Sequence, residues 1–227
     1  IPFRNREEQR EVFLHHMTNI VEGKHLFIFV HQKDKRTFNR GAMKNIGFLY
    51  VREHFPNIYK DSTLIFHDID FVPYKKGVFS YDTKKGVVNH FFGFKFALGG
   101  IFAIKGADFE NVKGFPNYWG WGYEDNHIKN NWVKMGGKIS HGEFIPIRGK
   151  GVIAFDSYNI VRKYNKKNPG LNRYGGDSNM DTIKNVTYAV EDFKYNSKVV
   201  HVTSFDTDAS EQKQVYAVGK PPVIQRA

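Results

Sequence analysis

The chain has no cysteine among its 227 residues. That excludes a disulfide framework, a thiolate zinc site, an iron–sulfur cluster and a cysteine nucleophile. It also lacks a run of about 18 consecutive apolar residues, the length a membrane-spanning helix needs. The nearest approach, Phe91–Ile104, is shorter and is interrupted by Lys95. No signal-like segment opens the chain, and Ile1-Pro2-Phe3 reads as the end of a strand already under way, which predicts a piece of a longer protein. Internal repeats and low-complexity tracts are absent. Acidic residues are outnumbered: 23 Asp+Glu stand against 34 Lys+Arg, a formal net charge of +11. Such a balance calls for an anionic partner, whether nucleic acid, an acidic surface or a small polyanionic substrate.

What is present suits a folded domain. Hydrophobic residues make up 41% and aromatics 16%, enough to bury a core. At about 150 residues per domain the length fits one large domain or two small ones. The spacing of Val12, Phe13, His16, Met17 and Ile20 predicts a helix over Arg6–Ile20, with Glu7 and Glu8 in its first turn. Leu26–Val30 reads as a buried strand. Asn39–Phe55 returns to helical spacing through Ala42, Ile46, Leu49 and Tyr50, and Thr63–Phe66 is a second short strand. This alternation predicts an α/β fold with a mostly parallel central sheet flanked by helices. Beyond it lie two strands around Gly99-Gly100, a Gly/aromatic loop at Gly114–Gly122, a helix at Glu124–Met135, and loops from Gly136 to Tyr174. A last strand is expected at Lys198–Phe205, followed by a tail from Thr207.

Two clusters can carry chemistry. Asp68-Ile69-Asp70 places two carboxylates just after a buried strand, where ligands bind in open α/β sheets. Alternate residues of an extended chain face one side, so the pair suits a hard divalent cation that also holds phosphates. For an isolated Asp-x-Asp, a solvated turn is the plainer account. In Asn117-Tyr118-Trp119-Gly120-Trp121-Gly122-Tyr123-Glu124-Asp125, glycines allow close backbone approach and indoles offer stacking area. Glu124-Asp125 then opens a helix. An aromatic core plug before a capped helix explains that run equally well. Arg4, Arg6 and Arg40 sit at strand–helix junctions, where guanidinium forks can meet phosphates, although surface charge is the commoner fate of an arginine.

Taken together, Ile1-Pro2-Phe3-Arg4-Asn5-Arg6, Phe38-Asn39-Arg40-Gly41, His67-Asp68-Ile69-Asp70, Gly99-Gly100 and Gly114–Asp125 occur in one order and spacing. That series resembles the beta-1,4-galactosyltransferase family of inverting glycosyltransferases, over Ile1 to about Met135 and more weakly through Asn185-Val186-Thr187-Tyr188. The resemblance implies a GT-A type nucleotide-sugar fold, with residues 1–206 as one catalytic domain and 207–227 as a C-terminal tail. It implies that Pro2, Phe3, Arg4, Arg6 and Arg40 hold uridine and diphosphate, and that Asp68 contacts the nucleotide-sugar. Asp70 would ligate manganese (or magnesium) at the diphosphate. Gly99, Gly100, Trp121 and Gly122 would line the donor sugar, Glu124 would bind its hydroxyls, and Asp125 would be the catalytic base. The implied partners are a UDP-sugar donor and a glycan or glycoconjugate acceptor, with no nucleic acid and no membrane within this stretch.

Three departures from the family pattern matter. Ala97 replaces an aromatic before the Gly-Gly turn, which makes room for an N-acetyl group and so for UDP-GalNAc beside UDP-galactose. Asn126-His127 replaces an acidic run that serves the acceptor. The family's later Met and His metal ligands are missing from Gly149–Asp156, leaving Asp156 as a substitute oxygen ligand and His141 as the other candidate. Two further readings stay open. One is a chondroitin-polymerase-like GT-A transferase; the other is a carbohydrate- or nucleotide-sugar-binding module that has lost turnover. A nucleic-acid binder rests on charge alone, since no RNP-like strand, helix-turn-helix or zinc pattern is present. Family members of the Golgi lumen commonly carry disulfides, so the absence of cysteine points to a reducing compartment.

Overall fold

The structure is a computed structural model that describes residues 1–120, 122–155, 178–209 and 211. The chain begins with β1 (Pro2–Phe3), α1 (Glu7–Met17), β2 (Phe27–Gln32), α2 (Arg40–His54), β3 (Thr63–His67) and β4 (Phe71–Pro73). It continues through β5 (Val87–Gly93), β6 (Ile101–Lys105), α3 (Gly106–Asn111), α4 (Glu124–Lys134), β7 (Lys138–Ser140), β8 (Ile145–Pro146) and β9 (Val152–Ala154). A 3-10 turn at Met180–Thr182 precedes the hairpin of β10 (Lys184–Phe193) and β11 (Ser197–Asp206).

One sheet has the order β1-β2-β11-β10, with β2 parallel to both β1 and β11 and the final hairpin antiparallel. The other runs β3-β6-β5-β7, with β8 alongside β5; β6 is antiparallel to both its neighbours, while β7 and β8 lie parallel to β5. A small antiparallel pair joins β4 to β9. The pairing is therefore mixed, where alternating strands and helices predicted mostly parallel strands. The physical reason is that β5 and β6, and β10 and β11, follow each other without a helix between them, and such neighbours fold back as antiparallel pairs.

Helix α2 packs on both sheets. Ala42, Met43, Ile46 and Tyr50 join Val30, Val200, Val202 and Phe205 of the first. Phe48 joins Phe66 and Phe102 of the second, together with Phe109 of α3, Trp132 of α4 and Phe115. Its burial therefore reaches polar positions too: Lys44 is 3% and Asn45 0% exposed. On α1, Phe13, Leu14 and Met17 pack against Phe3, Phe29 and Val199, whereas Val12, expected on that face, is 53% exposed.

The stretch from Gly136, expected as loops, contains β7, β8 and β9 before the described residues break at 155. Helix α3 and strand β10 were not expected as elements. The first residues past 206 are fastened to the body: the Trp119 indole donates to Ala209 O at 2.6 Å, and the Thr182 hydroxyl to Asp208 Oδ1 at 2.6 Å. Residues 212–227 lie outside the described residues. No helix among the described residues is long and apolar enough to cross a membrane.

Candidate active site

Three chain segments meet at the carboxyl end of β3. The first is the N-terminus of α2. Asn39 caps it, its Oδ1 accepting from Ala42 N at 2.9 Å, and its Nδ2 donates to Asn117 O at 2.9 Å. Asn45 reinforces the same loop, donating to Phe115 O and Asn117 Oδ1 at 2.8 and 3.0 Å. The second is the turn after β3, where Asp68 N donates to Gly100 O at 3.0 Å. The third is the start of α4, entered through left-handed Tyr123 at φ +70°, whose Asp125 O accepts from Leu98 N at 3.0 Å. Gly100 has φ +73°, and a Cβ there would stand 2.3 Å from Phe92 O, so no other residue fits the turn.

These segments gather three carboxylates around one guanidinium. Arg40 donates through Nε to Glu124 Oε1 at 2.6 Å and through Nη1 to Asp68 Oδ2 at 2.9 Å, and its Nη2 pairs with Asp125 Oδ2. A second cation lies one helical turn on. Lys44 Nζ is 3.1 Å from Asp125 Oδ1, 3.9 Å from Asp68 Oδ1, and 4.5 Å from the centre of the Phe115 ring. The environment separates the two aspartates. Burial pushes Asp125 up to about 6, with Arg40 and Lys44 pulling it down and Glu124 and Asp68 pushing it further up. Burial opposes ionisation of Asp68 as well, but there Arg40 and Lys44 outweigh it and hold the carboxyl below its usual range. Arg40 itself is held above its ordinary value, because Asp125, Asp68 and Glu124 outweigh its own desolvation. A carboxylate with a raised affinity for protons, next to one that stays ionised, is an arrangement suited to general-base work.

The matches with known proteins fit this arrangement. The model for the N-terminal region of glycosyl transferase group 7 matches residues 1–81, and that for the N-terminal domain of galactosyltransferase matches residues 88–156. Beta-1,4-galactosyltransferase 5 of Sus scrofa is 30% identical over 223 residues, covering 89% of this chain. The chain belongs to the beta-1,4-galactosyltransferase family.

Beta-1,4-galactosyltransferase 1 of Mus musculus is 33% identical over 152 residues, which is 62% of this chain and 37% of that protein. The chain spans about half the length of such relatives, 55% in the case of the Sus scrofa protein. A mutant of Drosophila beta1,4galactosyltransferase 7, solved with manganese, UDP-Gal and xylobiose, superposes with a TM-score of 0.73 at 20% identity over 92% of both chains. That likeness is one of fold, and the α/β architecture is of the GT-A type.

Of the residues that the family resemblance singles out, Arg40, Asp68, Glu124 and Asp125 come together in the cluster. Gly99 lies against it, a Cβ there falling 2.6 Å from Asp125 Oδ2. Gly100 holds Asp68, and Gly122 adopts φ +115° just before α4. Asp70 stands beside the cluster, paired with Arg6 at 2.7 Å. Arg4 donates instead to the Arg36 carbonyl. Pro2 and Phe3 form β1, and the Phe3 ring is 1% exposed, stacked on His31 at 4.5 Å. Trp121 and Asp156 lie outside the described residues. His141 packs against His90 and Phe144, at 5.4 and 5.1 Å between ring centres. His127 is buried, its Nδ1 3.1 Å from Tyr118 Oη. Asn126 donates to Phe96 O at 3.1 Å.

Sequence reasoning passed over two members of the site. Lys44 is one: it lies four residues beyond Arg40 on the same helix face, and nothing local marks that face as buried. His90 is the other: it is 1% exposed, and its Nε2 donates to Gly99 O at 3.0 Å, which fixes the Gly99 turn. Among the described residues, no group of three or more His, Cys, Asp or Glu side chains is placed to hold a metal ion by itself. Asp70, a hard oxygen donor 28% exposed at its side chain, fits the mode in which a cation takes one or two carboxylates and completes its shell with substrate phosphates.

Proposed function

We propose that this chain is an inverting glycosyltransferase that moves galactose or N-acetylgalactosamine from a UDP-sugar to a sugar hydroxyl of a glycan or glycoconjugate. The reading rests above all on the convergence of Asp68, Glu124 and Asp125 on Arg40 and Lys44. Family membership supports it, as does the UDP-Gal and manganese bound to the Drosophila relative. Residues 1–206 are read as one catalytic domain.

In this reading Asp125 accepts the proton of the acceptor hydroxyl while that oxygen bonds to the anomeric carbon. The bond from that carbon to the diphosphate breaks on the opposite face, its electron pair leaving on a phosphate oxygen, and configuration inverts. Glu124 and the Gly99-Gly100 turn orient the donor sugar, and Ala97 leaves room beside it for an N-acetyl group. Asp68 holds the nucleotide-sugar, and the forks of Arg40 and Arg6 turn to the diphosphate. A manganese or magnesium ion held by Asp70 would neutralise charge on the diphosphate. The lack of cysteine supports work in a reducing compartment.

The test is UDP release from UDP-galactose and UDP-GalNAc with manganese, magnesium or EDTA, with and without saccharide acceptors. We expect metal-dependent turnover, lowered about 10²- to 10⁴-fold by Asp125→Asn. Turnover untouched by that substitution would remove Asp125 as the base. Donor binding without turnover for every sugar would favour a binding module, and tight nucleic-acid binding without UDP binding would overturn the reading altogether.

A further inference from the structure

Lys44 has no part in the reaction set out above, yet it is the most deeply buried charge in the cluster, its side chain only 1% exposed. A lysine that deep is retained only where a partner compensates its lost hydration. Its partner is Asp125. The two oxygens of that carboxylate are divided between two cations, Oδ2 to Arg40 and Oδ1 to Lys44 at 3.1 Å.

The two cations differ in what else they can do. Arg40 has a planar fork, is 20% exposed at its side chain, and already divides itself among three carboxylates. A diphosphate offers that fork a stronger bidentate partner. Lys44 is enclosed, its side chain 1% exposed and Phe115 against its ammonium, and its charge stays on Asp125. Once Arg40 turns to the diphosphate, the groups facing Asp125 are Glu124 from α4, Asp68 from the turn after β3, the backbone of Gly99, and Lys44 from α2. Two anions in a water-poor site favour a protonated Asp125, which cannot accept another proton.

We propose that Lys44 is a positioning residue that keeps Asp125 an ionised carboxylate, aimed through its Oδ1, while Arg40 is engaged by the diphosphate. The inference rests on the glycosyltransferase reading for its purpose, but its physical content is the Lys44–Asp125 pairing. One cation thus serves the leaving group and the other serves the base, so donor binding does not switch the base off.

The deciding measurement is a carbon-13 NMR titration of the Asp125 carboxyl, identified by its loss in Asp125→Asn. It is made on the protein alone and with UDP and magnesium, for the wild type and for Lys44→Met, which keeps the stem and removes the charge. In Lys44→Met the midpoint should rise by about one pH unit or more, and by more with UDP bound than without. In steady state, kcat/KM should fall about tenfold on the acid side and recover near pH 8, with the donor KM unchanged. Lys44→Arg should keep the wild-type midpoint. If Lys44→Met does not fold, Lys44→Gln against Lys44→Arg makes the same comparison. Superimposable titrations, or a loss equal at every pH, would overturn the proposal. A wild type that turns over no donor would defeat the glycosyltransferase reading instead, and the titration would still decide the role of Lys44.

Discussion

Gly99 has no room for a side chain, and the obstacle is the carboxylate assigned as the base. A Cβ there would stand 2.6 Å from Asp125 Oδ2 and 3.2 Å from its Cγ. A flexible side-chain end ordinarily yields to such a contact. This one is held by Arg40 on one oxygen and Lys44 on the other, while His90 holds the Gly99 carbonyl at 3.0 Å. Gly99→Ala should therefore displace Asp125 rather than unfold the chain. We expect kcat to fall about 100-fold, since misplacing a reacting group by an ångström costs that much, with unfolding free energy lowered by about 1–2 kcal/mol. Steady-state kinetics beside urea denaturation would check it, and an unchanged kcat would mean that the carboxylate moves freely. Gly99, Asp68, Glu124 and Asp125 are legible as residues because each sits in a short motif and the motifs fall in order. Lys44 is not, because a lysine four residues after an arginine reads as the wet face of a helix, and only the packing of α2 on both sheets makes that face an interior.

At the scale of elements, the site depends on how α2 begins. Asn39 is fully buried and does two things at once, capping α2 through Ala42 N and anchoring the 114–120 loop through Asn117 O, both at 2.9 Å. Asn39→Ala removes a cap and leaves a buried carbonyl without its donor, which together cost about 2–3 kcal/mol. Arg40 is the next residue, so activity should fall with stability. Asn39→Asp keeps the acceptor for Ala42 N and should recover the cap's share alone. Urea denaturation of the three proteins tests this, and a loss below about 0.5 kcal/mol for Asn39→Ala would show that water replaces both contacts. The elements around this point were legible because α1, α2 and α4 carry helical spacing and β2 and β3 are apolar runs. Strand β10 was not recognised, because Lys184–Phe193 is exposed along most of its length and its alternation is short, confined to Val186, Tyr188 and Val190. Strands β7, β8 and β9 are two or three residues long and exist through pairing with β5 and β4, which no local pattern records.

Across the whole molecule the excess of positive charge does not extend to the site. Arg6, Arg40 and Lys44 face Asp68, Asp70, Glu124 and Asp125, so four carboxylates outnumber three cations there. The basic surplus lies elsewhere, and a diphosphate needs a divalent cation beside it to be attracted to this crevice. Protonation acts on stability through a different set of groups. His67 and His90 are 3% and 1% exposed, and burial lowers each to about 4. The unfolded chain binds protons at these rings below about pH 6.5, which the folded chain refuses until about pH 4. Their contribution is therefore complete above pH 6.5 and is lost as pH falls towards 4. His31, half-buried and also lowered to about 4, acts in the same direction. Asp125 acts oppositely: raised to about 6, it holds a proton in the fold that the unfolded chain has released, so its contribution is lost as pH rises through 6. Near pH 5 the three histidines outnumber the one carboxylate, leaving the unfolded state about two protons richer. Stability should then fall by about 2.7 kcal/mol for each pH unit below 6. Urea unfolding of the full chain at pH 7, 6, 5 and 4.5 measures that slope, and a flat profile over this range would show that His67 and His90 are protonated in the folded state.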